Sequence, residues 1–185
     1  MDTPSPPEIV LVSHGQFDRV KEILAERPEL LNVLYEPWAE TPLGAASHVG
    51  NVPIAEYLLE LGAPLTITTA AMLGRKKDVE RFLEEDPELA NAAGAHGISL
   101  LFHTAYSGDV SIAEAIVAAG GSTSSAGHAV HAAVSKSHQE MISWLLERGA
   151  DPNVPDFQGR TPLAVAEKQG NEAIAVLLRN AGGHS

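Results

Sequence analysis

A chain of 185 residues has room for one domain of ordinary size or one elongated array, and 44% hydrophobic content excludes a disordered tail. A formal net charge of -12 opposes phosphate backbones and anionic membrane surfaces, so neither nucleic acid nor membrane is an expected partner. The absence of cysteine excludes disulfides and thiolate zinc sites.

The opening run "MDTPSPPEIVLVSHGQFD" has no basic lead before its short apolar stretch and does not read as a signal peptide. No segment approaches the ~18 consecutive apolar residues of a membrane span, so a soluble, cytoplasmic chain is expected. From Pro6 onward one phrase recurs. "PPEIVLVSHG" ends on Gly15 and is followed by the amphipathic "FDRVKEILAERPELLN". "TPLGAASHVG" ends on Gly50 and leads into "NVPIAEYLLELGAPL". There Thr41 can cap a helix, Pro42 suits its first position, and Ile54, Tyr57, Leu58 and Leu61 recur at helical spacing before Gly62 ends the run. "LTITTAAMLG" closes at Gly74, "SLLFHTAYSG" at Gly108, "HAVHAAVSKS" at Ser137 and "TPLAVAEKQG" at Gly170. Each is trailed by a second apolar-periodic segment, so six helix pairs fill nearly the whole chain. Tracts of about ten residues are marginal as free helices in water, and the pairs must therefore stack on one another.

These residues carry a resemblance. "TPLGAASHVGN…YLLELGAP" and "LLERGADPNVPDFQGRTPLAVAEKQGN" resemble ankyrin repeats, in which T-P-L-H-x-A-A-x-x-G precedes a second helix ending near G-A-D. The resemblance covers roughly residues 6–181. It implies an all-α, ankyrin-type helical solenoid of about six helix pairs, with β-turn fingers mainly after alternate repeats. A single array spans 1–185, with repeats near 6–40, 41–64, 65–98, 99–127, 128–160 and 161–181. The long connections after pairs one, three and five predict fingers there and none after pair two; "GGSTSSAG", within 120–127, reads as a mobile loop. The histidine that ties the family's turn to the next unit survives only as His131; Ile9, Gly44, Thr68, Phe102 and Ala164 take its place elsewhere. Ser137 stands where the helix end wants a left-handed glycine, which predicts either a positive φ or a shifted helix end.

The resemblance also implies a concave groove lined by finger tips and by the exposed face of each first helix. Its row of equivalent positions is Ser13, His48, Met72, Tyr106, Ser135 and Lys168, with His48, Met72 and Tyr106 forming a partly apolar middle strip. The fingers add Tyr35, Trp38, His96, Phe157, Gln158 and Arg160; Trp38 and Phe157 either project or fold back on a neighbouring helix. Trp144 sits at a helix-core position. The expected function is a non-catalytic, monomeric protein–protein interaction module, with no cofactor and an unidentified protein partner.

The chemical alternatives are weaker. His128, His131 and His138 lack the H-E-x-x-H pattern, and His48, His96 and His103 lie in different units with no shared motif, so no metal site is expected. The serine cluster lacks a nucleophile elbow, "GAHGIS" is not a phosphate-binding glycine loop, and Glu84, Glu85, Asp86 and Glu88 read as a solvated face. No enzyme is expected. The alternative is a small-ligand or metal binder, or an enzyme, built on a histidine-containing pocket from residues distant in sequence.

Overall fold

Helices too short to stand alone alternate with tight turns along the whole chain. The computed structural model describes residues 5–124 and 126–185. In order the helices are α1 (Glu8–Val12), α2 (Phe17–Glu26), α3 (Pro42–His48), α4 (Val52–Glu60), α5 (Ile67–Met72), α6 (Lys76–Glu85), α7 (Leu100–Ser107), α8 (Val110–Ala118), α9 (Ala126–Ser135), α10 (Gln139–Glu147), α11 (Pro162–Lys168) and α12 (Glu172–Asn180). Among the described residues none is long and apolar enough to cross a membrane.

Caps explain where these helices start. The Thr41, Thr66, Ser99 and Thr161 hydroxyls each accept from a backbone N–H three residues on, opening α3, α5, α7 and α11. Among second helices, the Asn51 and Asn171 side-chain oxygens accept from the N–H three residues on, opening α4 and α12, and Asp109 accepts from Ser111 N–H two residues on, opening α8. Left-handed residues close the first helices at Gly50, Gly74, Gly108 and Gly170. Ser137 takes the same turn with φ 61, the first of its two expected outcomes.

The first helices stack in chain order from α1 through α11, while α2 packs on α4, α6 on α8 and α8 on α10 in an outer row. Alanines at 45, 46, 70, 71, 105, 129, 132, 133 and 166 are buried, and their small side chains let neighbouring first helices approach closely. Ile54, Leu58, Ile112, Met141, Ile142, Leu145 and Leu178 fill the space between rows, each contributing about 1.5–3 kcal/mol by leaving water. Trp144 is buried here as expected.

Three fingers follow α2, α6 and α10, and α4 runs almost directly into α5. The first closes by paired backbone bonds between Tyr35 and Glu40, of 2.8 and 3.2 Å, with Ala39 left-handed at φ 49. The second pairs Ala93 with Ser99 and carries His96 at φ 56 on its tip. The third turns between Asp156 and Arg160. His131 Nε2 donates to Val154 O at 2.7 Å, tying α9 to this third finger, which is the link implied by the resemblance.

Three expectations need correction. Met72 is 1% exposed and Tyr35 6%, so neither lines a surface, and Ser13 is buried too. Met72, at the end of α5, and Tyr35, in the first finger, both pack into the N-terminal apolar cluster with Leu43, Ile54 and Leu58. The serine-rich connection is shorter than 120–127 and is tied at its start through Asn91. The Asn91 side chain donates to Gly120 O and accepts from Ser122 N, and Gly127 already lies inside α9. Ser125 lies outside the described residues, as do residues 1–4 of the opening run.

Candidate functional site

On the finger side near the N-terminal end, four polar side chains from four separate elements meet. Glu40 closes the first finger and turns inward, where it is 0% exposed. Its Oε1 lies 2.9 Å from His48 Nδ1, at the end of α3, and 3.5 Å from His14 Nε2, in the turn after α1. The tip of the second finger brings His96 Nε2 to 3.6 Å from the same oxygen. The rings pack edge to face, His14 on His48 at 4.9 Å and His48 on His96 at 5.2 Å. Trp38 leans over His96 at 5.2 Å and meets Tyr35 edge to face at 4.9 Å, so this tryptophan folds back rather than projecting.

Distance and direction differ here. Despite three imidazole nitrogens nearby, neither Glu40 oxygen, nor His48 Nδ1, makes a hydrogen bond of acceptable geometry among the described residues. Burial by itself would push the Glu40 carboxyl up; the contacts with His14 and His48 outweigh that and hold it at about 2. The same carboxylate raises His14 above its ordinary value, against the opposing effect of burial. His14 Nδ1 lies 3.1 and 3.0 Å from the carbonyl oxygens of Val10 and Leu11. Carbonyls only accept, so Nδ1 carries the hydrogen and Nε2 faces Glu40.

His103 does not join this cluster. It is buried beneath the second finger, donates from Nδ1 to Ser99 O at 2.9 Å, and burial pushes it down to about 4. Gly94 permits that approach, because a Cβ there would stand 2.8 Å from the His103 ring.

Further along, a groove of about 620 Å³ lies between the second and third fingers. Tyr106 and Phe102 form its apolar floor with their rings 5.3 Å apart, and His128 and His131 flank it. Tyr106 is seated by Gly50, where a Cβ would stand 2.6 Å from the ring. Phe157 rises from the third finger at 94% exposure, so of its two readings it takes the projecting one. Beside it Arg160 Nε and Nη2 donate to Asp156 Oδ2 at 2.8 and 2.6 Å, and Gln158 is exposed at the tip.

The residues expected to form one strip are thus divided. Trp38, His48 and His96 belong to the Glu40 cluster, and Tyr106, Phe157 and Arg160 to the groove, with Gln158 beside it. Sequence reasoning missed His14 and Glu40. The available signal was a carboxylate immediately before Thr41-Pro42, at a finger base that faces the stack.

A family model of ankyrin repeats in three copies matches residues 67–156 and 101–184, and a single ankyrin-repeat model matches 40–85. The chain belongs to the ankyrin-repeat family. This ankyrin-repeat chain is 25% identical to an ankyrin repeat domain of Acinetobacter baumannii solved by crystallography, with a TM-score of 0.52 over 96% of this chain and 98% of that one. It is also similar to the potassium channel AKT1 of Arabidopsis thaliana, 49% identical over 51 residues, which are 28% of this chain and 6% of the channel. An ankyrin repeat-containing protein of Schizosaccharomyces pombe, P1E11.10, is 51% identical over 39 residues, 21% of this chain and 19% of that protein. The ankyrin-repeat chain therefore spans only a small part of either curated relative. Repeats of this family generally mediate protein–protein interaction and are typically non-enzymatic.

Proposed function

We propose that the chain is a non-catalytic interaction module that holds a segment of a protein partner in the groove between its second and third fingers. The observation that carries this reading is Phe157, an almost fully exposed aromatic beside an apolar floor of Phe102 and Tyr106. Large exposed apolar side chains at a concave surface mark binding sites, and aromatic anchors supply most of the affinity where they become buried. The Arg160 guanidinium directs Nε and Nη2 to Asp156, and the groove's lining is mostly apolar, suited to an aliphatic or aromatic side chain of an extended segment.

The test is affinity capture with the immobilised chain, comparing Phe157→Ala with Trp38→Ala. Because Phe157 makes little contact with the fold, its truncation should change stability by less than about 0.5 kcal/mol. Recovery of the partner should fall at least about tenfold for Phe157→Ala, the effect of losing one anchor, and stay unchanged for Trp38→Ala. Equal recovery by wild type and Phe157→Ala would remove the groove from consideration.

A further inference from the structure

The Glu40 cluster is not absorbed by the interaction function, and its chemistry has an unmet demand. A carboxylate 0% exposed needs a cationic neighbour or well-directed donors, since an uncompensated buried charge is strongly unfavourable. Among the described residues no directed donor reaches it. In its neutral form His14 cannot supply one, because its hydrogen is committed to Val10 O and Leu11 O, leaving the Nε2 lone pair facing Oε1 at 3.5 Å. Two acceptors 3.5 Å apart, one of them on a fully buried carboxylate, call for a positive charge between them.

We propose that His14 Nε2, His48 Nδ1, His96 Nε2 and Glu40 form a site for one transition-metal dication of the zinc class. Ligand atoms of His14, Glu40 and His48 all lie within 4.8 Å of one another; His96 Nε2, 3.6 Å from Oε1, lies outside that mutually close set and would complete the shell by moving inward with the finger tip. Two ligands each about 2.0–2.1 Å from a tetrahedral zinc are roughly 3.4 Å apart, and the three nitrogens stand 2.9, 3.5 and 3.6 Å from Oε1. The bond from His14 Nδ1–H to backbone carbonyls is the outer contact that fixes a ligating imidazole's tautomer and orientation. Three imidazoles and one carboxylate favour zinc, cobalt or nickel over magnesium or calcium, which take oxygen ligands. Four protein ligands leave no open position, so the ion is structural. It joins the turn after α1, the first finger, the end of α3 and the second finger, pinning three repeats together.

The test uses the full chain stripped with a chelator and titrated with zinc, then separately with cobalt as a spectroscopic probe. Wild type should bind one equivalent of zinc per chain, melt at a temperature that rises with free zinc, and give cobalt the visible absorption of tetrahedral coordination. His14→Asn and His96→Asn should each weaken binding at least about tenfold, while His128→Asn, away from the cluster, should not. His96 stands at the rim, so its variant should keep the wild-type far-UV circular dichroism and remain informative if His14→Asn does not fold. Absence of stoichiometric binding by wild type would overturn the site and leave a cluster held by protonated imidazole. Unchanged zinc affinity in a folded His14→Asn or His96→Asn would overturn the ligand set.

Discussion

Ser137 shows how strongly one residue can be overruled by its neighbours. It ends α9 with φ 61, beside 67, 70, 72 and 68 at Gly50, Gly74, Gly108 and Gly170. A non-glycine residue there carries a steric cost of about 1–2 kcal/mol, and the bond from Asn171 Nδ2 to Ser137 Oγ, 3.1 Å and exposed, offsets only part of it. Ser137→Gly should therefore stabilise the chain by roughly 0.5–1 kcal/mol in urea denaturation, the relief being reduced by glycine's larger unfolded-state entropy. A loss of stability would mean that the Asn171 bond outweighs the backbone strain. Glu40 illustrates the converse. Glutamate is normally a surface residue, so nothing in its type announces burial.

The fingers differ in what holds them. The first is closed by backbone pairing and the edge-to-face rings of Tyr35 and Trp38, the second rests on His103, and the third is organised around one carboxylate. Asp156 accepts from the backbone N–H groups of Gln158 and Arg160 at 2.8 and 2.9 Å and from the Arg160 side chain. Burial would raise its carboxyl; the Arg160 guanidinium and the backbone donors outweigh that and hold it at about 2. A depressed folded value means that this stabilisation is complete above the unfolded value, about 3.9, and is lost as pH falls through about 2. Asp156→Asn should cost on the order of 1–2 kcal/mol at pH 7. The stability gap between the two proteins, followed by urea denaturation from pH 5 to 2, should close toward the acid end. A constant gap would show that the amide's lost geometry, not charge, is responsible.

In the whole molecule each repeat is stabilised by the repeats beside it, and the buried apolar residues fall into three clusters along the stack. Leu145, 0% exposed in the C-terminal cluster, should cost about 2–5 kcal/mol when cut to alanine. Hydrogen exchange should speed up across α9–α12 well before α1–α4; uniform loss of protection would indicate one cooperative core. The solenoid was legible because its signals are local. A cap, a proline, an apolar spacing and a terminal glycine all lie within about ten consecutive residues, as from Thr41 to Gly50. The alternation of fingers was legible from connection lengths, and the register narrowed Ser137 to two outcomes without choosing between them. The Glu40 cluster was not, because His14, Glu40, His48 and His96 share no spacing; they meet only when the first two helix pairs stack and the second finger folds over them. For the same reason Tyr35 and Met72 were expected at the surface, and Trp38 and Phe157 could not be told apart. Helix type, order and ends follow from neighbours along the chain, so the sequence alone determined them. Which side chains are buried, and which distant ones share a charge, depends on neighbours across the stack, and only the tertiary structure decided that.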